Sequence, residues 1–153
     1  MIHTVIGDTQ IRYGFVFPVL FGVEKTMSSG LLPTAVVGYI DAYNQKNVPA
    51  MLETLSDDIV FESVNGGIAG LSLAGKEAFT TLAEQSIRAF SVRSQSVRHA
   101  VVGHDAVALE VDYAAIVAAD LPNGWKEGQR IDLRGVSFFE LRHGLICRLT
   151  DFA

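Results

Sequence analysis

The C-terminal stretch constrains this chain more than any other. From Gly128 to Ala153 it reads as two strands around a tight turn: Ile131 to Leu141, then Arg142-His143-Gly144, then Leu145 to Phe152. β-Branched and aromatic residues recur at alternate positions, the period of a strand with one buried face, and Gly144 supplies the positive φ a short hairpin needs. Alternation puts Leu145, Cys147, Leu149 and Asp151 on one face. A carboxylate closing an apolar row calls for a reason. Either Asp151 meets water at a frayed strand end or pairs with Arg148, or it borders a cavity and does chemistry.

The chain before the hairpin alternates between two periods. Thr34 to Lys46 has the apolar spacing of an amphipathic helix, with Val36, Val37, Ile40 and Tyr43 near one face and Pro33 at its start, where a missing N–H costs nothing. Val48 to Leu55 reads as a second, short helix. Ile59 to Val64 reads as a strand, with Ile59, Phe61 and Ser63 on one side. Asn65-Gly66-Gly67 and Gly70 mark a flexible loop running to Gly75. Lys76 to Phe90 is a third helix with Phe79, Leu82, Ala83, Ile87 and Phe90 as its apolar stripe. Strands then follow over Val92 to Val102 and Ala106 to Ala118, ahead of the hairpin. Helices segregated to one face of a curved antiparallel sheet make an α+β fold. Residues 1–30 read as an N-terminal extension or arm, and residues 31–153 as the domain.

Composition narrows the partners. The net charge of −5 comes with no basic run, which leaves nucleic acid and anionic membranes without electrostatic support. A single cysteine, Cys147, allows no internal disulfide and no thiolate metal cluster. Phe15 to Val23 is the one continuous apolar run, too short to span a bilayer and interrupted by Pro18. Together these predict a soluble, cytoplasmic protein. His3, His99, His104 and His143 show no metal-ligand spacing, so no metal is expected. Trp125 is placed to cap a pocket or an interface.

The strand Ala106 to Ala118 carries the second oddity. Its odd positions, Val107 to Val117, are all apolar or aromatic, whereas Glu110 and Asp112 interrupt the even ones. Unpaired buried charges cost several kcal/mol. The two acids therefore either face water or pair with Arg98, Arg130 or Arg134, or they border a pocket.

The order of elements resembles the NTF2-like superfamily of cone-shaped α+β barrels, which includes the SnoaL-like polyketide cyclases, ketosteroid isomerases and limonene-epoxide hydrolases. The matching pieces are Tyr39-Ile40-Asp41-Ala42-Tyr43-Asn44 with Val48 to Leu55 after it, Leu55-Ser56-Asp57-Asp58-Ile59-Val60-Phe61, and Phe139 to Ile146 leading to Asp151-Phe152. The resemblance covers roughly Leu31 to Ala153. It implies three helices packed on a curved, mixed but mainly antiparallel sheet that encloses a pocket, and a homodimer. Aligned to the epoxide hydrolases, Asp112 and Asp151 fall on the two catalytic aspartates. Glu110 replaces the arginine between them, and Phe61 and Ser63 replace the water-positioning tyrosine and asparagine. Aligned to the isomerases, Tyr39 falls on the oxyanion-hole tyrosine, Ser63 on the general-base aspartate and Ser137 on or near the second acid.

Neither mechanism carries over whole. What the resemblance leaves is Asp151 as acid/base, Asp112 as its partner and Tyr39 as hydrogen-bond donor, with Glu110, Ser63, Phe61, Ser137 and Cys147 lining the site. This is the equipment of a cofactor-independent isomerase, cyclase or hydratase acting on a small to medium apolar molecule. The alternative is a non-catalytic module of the same fold that binds a small molecule or only dimerises.

Overall fold

The computed structural model describes residues 32–153. The extension expected over residues 1–30, including the apolar run at Phe15 to Val23, lies outside the described residues. Three helices and six strands follow in order: α1 (Thr34–Asn44), α2 (Val48–Glu53), β1 (Leu55–Asn65), β2 (Ile68–Ala74), α3 (Lys76–Ala89), β3 (Phe90–Val102), β4 (Ala106–Val117), β5 (Arg130–Arg142) and β6 (Leu145–Phe152).

The strands form one sheet in the order β2-β1-β6-β5-β4-β3. Every neighbouring pair is antiparallel except β1 and β6, which run parallel. The sheet is mixed and mainly antiparallel, and it does not close. β2 is the element that sequence reading took for a flexible loop. Gly66 and Gly67 do make a turn with positive φ, but residues 68–74 return along β1 as an edge strand. Their exposure explains the miss, because this edge strand is mostly open to water and its apolar alternation is limited to the half-buried Leu71 and Leu73.

Local signals fix the helix ends. The Asn47 side chain caps α2 by accepting from the Ala50 N–H at 3.0 Å. Lys46 closes α1 at φ 56°, and its ammonium donates to the carbonyls of Phe90 and Ser91, both at 2.6 Å. His143 and Gly144, at φ 53° and 78°, form the two-residue turn between β5 and β6, with Arg142 opposite Leu145.

The core lies between the helices and one face of the sheet. α1 contributes Val36, Tyr39, Ile40 and Tyr43, and α3 contributes Phe79 and Ala83. The odd positions of β4 from Val107 to Val117 face them, so the alternation read from the sequence sets the sheet's inner side. Tyr39 packs edge-on against Phe79 and Phe139, with ring centroids 6.4 and 5.8 Å away.

Candidate active site

Strand register gathers three polar side chains on the inner face. Ser63 of β1 pairs with Asp151 of β6, and Asp151 pairs with Ser137 of β5. All three are buried, Asp151 to 3% exposure. Ser137 Oγ donates to Asp151 Oδ1 at 2.6 Å. Ser63 Oγ accepts from the Leu71 N–H at 3.0 Å, which ties the row to the edge strand. One step along, the row Phe61, Leu149 and Phe139 is apolar and fully packed. The carboxylate is therefore set among hydroxyls on one side and hydrocarbon on the other.

Tyr39 covers this floor from α1. Its hydroxyl is buried with no hydrogen-bond partner. Burial, followed by the negative charge of Asp151, pushes the phenol well above its ordinary range. The group therefore keeps its proton throughout the physiological range and remains a donor. An orphan donor near a buried carboxylate can stabilise negative charge that develops on a third molecule between them.

The other acids lie elsewhere. Glu110 and Asp112 stand on the outer face of β4. Asp112 accepts from Arg98 Nη1 at 2.8 Å and from Arg134 Nε at 2.9 Å, while His99 Nδ1 stands 2.5 Å from Glu110 Oε2. This surface pairing was one of the two alternatives the sequence left open. The other, with both acids bordering the Asp151 site, is corrected: Asp112 is on the opposite side of the sheet, and its carboxyl is held below the ordinary value. Burial alone would raise it, but the hydrogen bonds and charges of the two guanidiniums prevail. A groove of about 470 Å³ opens on this outer face, lined in part by Ser94, Ser96, Asp112, Asp132 and Arg134.

Cys147 is also displaced from its expected place. The pairing of β5 with β6 slips between Glu140 and Leu141, so Leu141 opposes Ile146 and Glu140 opposes Arg148. Cys147 takes up the extra residue of this bulge. Ile146 is buried in its stead, and the Cys147 thiol lies 3.5 Å from the Glu140 carbonyl. Arg148, weighed as a partner for Asp151, reaches Glu62 at 2.6 Å instead. Trp125 packs against Phe90 at 6.3 Å between ring centroids.

Two buried polar residues escaped the sequence reading. Arg93 and Gln95 of β3 point to the interior, and Gln95 sits opposite Tyr113. Their phase is masked because the register of β3 shifts on both sides of them, between Phe90 and Val92 and between Val97 and His99, which breaks any single alternation along the strand. Among the described residues, no group of three or more His, Cys, Asp or Glu could hold a metal ion. None of the described helices is long and apolar enough to cross a membrane.

Comparison with known proteins agrees with this architecture. No match was found among curated protein sequences. A candidate polyketide cyclase from Xanthomonas campestris pv. campestris superposes with a TM-score of 0.63 at 25% identity, over 78% of this chain and 87% of that one. A candidate polyketide cyclase from Silicibacter sp. TM1040 gives a TM-score of 0.63 at 26% identity, over 76% of this chain and 84% of that one. An LEH-like epoxide hydrolase from M. tuberculosis gives 0.63 at 20% identity, over 78% and 80% of the two chains, a likeness of fold alone. The SnoaL-like domain family matches residues 36–149, which is most of the chain. With that match, and with helices laid on a mixed sheet as in these relatives, the protein belongs to the SnoaL-like family of the NTF2-like superfamily.

Proposed function

We propose that the protein is a cofactor-independent acid/base enzyme acting on a small to medium apolar, carbonyl-bearing molecule, by isomerisation, cyclisation or hydration. One observation carries the reading: a carboxylate exposed to only 3% shares the interior with a buried hydroxyl that has no partner. Asp151 takes a proton from a carbon next to the substrate carbonyl and returns it elsewhere on the skeleton. The Tyr39 hydroxyl donates to the enolate oxygen that forms in between. Ser137 holds the carboxylate in place. The likeness to candidate polyketide cyclases supports this class of chemistry. Turnover of a panel of enolisable ketones and epoxides by wild type and Asp151→Asn tests it. A loss of about a hundredfold or more in the variant is expected, and equal rates remove the assignment in favour of a binding module.

The same reading takes the protein as a homodimer through the outer face of the sheet. There Val136 and Phe152 stand opposite each other on β5 and β6, exposed to 38% and 42%. A pair of exposed apolar side chains on a sheet flank is the composition of an interface centre.

A further inference from the structure

Arg93 and Gln95 lie on the inner face of β3, each exposed to only 3%. The Arg93 guanidinium carbon is 3.8 Å from the centroid of the Tyr43 ring. Its terminal nitrogens donate to Ser86 Oγ at 2.7 Å and to the Tyr43 carbonyl at 3.4 Å. Both acceptors are neutral, and the Nε–H has no partner. Two residues on, neither the oxygen nor the nitrogen of the Gln95 amide has one. The backbone beneath is nevertheless firmly held. The Asn44 side chain accepts from the Gln95 N–H at 2.7 Å and donates to its carbonyl at 3.0 Å. The chain thus holds the strand in place and leaves the Arg93 Nε–H and the whole Gln95 amide without partners.

A buried cation met only by neutral groups, beside an amide bonded to nothing, is poor design for stability. The same arrangement is good design for receiving an anion. We propose that Arg93 and Gln95 form an internal recognition site for the carboxylate of an apolar ligand. The Arg93 Nε–H and the Gln95 amide N–H groups donate to the carboxylate oxygens, and the ligand supplies the missing counter-charge. A monoanion matches the single guanidinium, whereas a phosphate dianion would leave a second charge buried and unpaired.

The site stands apart from the catalytic reading and, joined to it, names the substrate class. Tyr113, opposite Gln95, is four residues along β4 from Leu109, which pairs with Ser137 in the Asp151 row. Four residues of strand span about 13 Å. The Tyr39 phenol lies within electrostatic range of both Asp151 and Arg93. A polycyclic acid anchored by its carboxylate would lay its far end toward Asp151.

The test is calorimetric titration of the full chain with naphthoate and with neutral acetonaphthone at neutral pH. Wild type is expected to bind naphthoate at least about tenfold more tightly than the ketone, and Gln95→Leu to lose about tenfold of that affinity while binding the ketone as before. Gln95→Leu removes two atoms without partners, so its melting temperature should hold or rise. Arg93→Met should lose more affinity, but it also strips Ser86 of its donor, and so the folded Gln95→Leu variant decides. Asp151→Asn removes a like charge and should bind naphthoate no more weakly than wild type, so a failure of the catalytic assignment leaves this result untouched. Wild type that does not favour naphthoate, or folded Gln95→Leu with undiminished affinity, overturns the proposal and leaves water as the occupant.

Discussion

Ser137 Oγ donates to Asp151 Oδ1 at 2.6 Å across the β5–β6 ladder, with both side chains buried. A hydrogen bond to a charged acceptor is worth about 1.5–3 kcal/mol, and its loss leaves the carboxylate without that donor. Ser137→Ala should therefore lower the urea midpoint by an amount equivalent to about 1.5–3 kcal/mol at neutral pH. An unchanged midpoint would show that the bond adds nothing to folding.

Tyr39 gives the opposite expectation. Its hydroxyl is buried without a partner, so Tyr39→Phe removes an unsatisfied polar group worth about 1–3 kcal/mol of penalty. The variant should be at least as stable as wild type while losing turnover, a split that a merely structural tyrosine would not produce. Thermal melts and rates on the same preparations check it.

Alkaline stability follows from the same groups. Burial first of all raises the folded-state pKa of Tyr39 and Tyr43. Between the unfolded value near 10 and the raised folded value, the unfolded chain sheds protons that the folded one keeps. Stability is then fully present below about pH 10 and falls as pH rises beyond it. Replacing both tyrosines by phenylalanine should flatten this alkaline limb in urea titrations between about pH 9 and pH 11.

Asp112 governs part of the acid side. The Arg98 and Arg134 guanidiniums override its burial and depress its pKa. Its contribution is present above the unfolded value of about 3.9 and is lost as pH falls through the folded value. The side chain is 41% exposed, so screening keeps the effect small. Asp112→Asn should make the fall in stability below about pH 4 slightly shallower and leave turnover alone, because the group stands on the face away from Asp151.

The interface reading is tested by charge. Val136→Asp places a carboxylate opposite Phe152 on the outer face. Sedimentation should show wild type as a dimer and the variant as a folded monomer; a monomeric wild type removes the interface.

Much of this architecture was legible because period carries it. The odd positions of β4 announce the inner face, and His143-Gly144 announces the hairpin that brings Ser137 next to Asp151. What stayed hidden depends on breaks in period. The bulge at Cys147 exchanges it for Ile146 on the inner face, and the register shifts on either side of Arg93 and Gln95 conceal those two. Exposure hid β2, where only Leu71 and Leu73 are half-buried and no residue is fully buried. Glu110 and Asp112 could not be placed from their own strand. Whether an acid on an even position meets solvent, arginine or substrate is decided by β3 and β5 alongside it, and their register is not written in β4.

Gly70 offers a test of how tightly the edge strand supports the site. β2 bulges against β1 between Glu62 and Val64, so Gly70 faces Ser63 at close range. A Cβ there would lie 2.9 Å from Ser63 Oγ and 3.3 Å from the Ser63 carbonyl oxygen. Gly70→Ala must then either turn the Ser63 side chain, which breaks its bond from the Leu71 N–H, or push β2 away from β1. Either outcome costs about 1–3 kcal/mol, the usual range for inserting a methyl group into filled space. Gly67→Ala serves as the control, because no atom lies within 4 Å of its Cβ and only its φ of 81° resists substitution. If Ser63 is what Gly70 protects, amide exchange at Asp151, which pairs with Ser63 on β6, and at Phe152 should rise in Gly70→Ala alone. Equal exchange in the two variants would mean that the edge strand yields without disturbing the row beneath it.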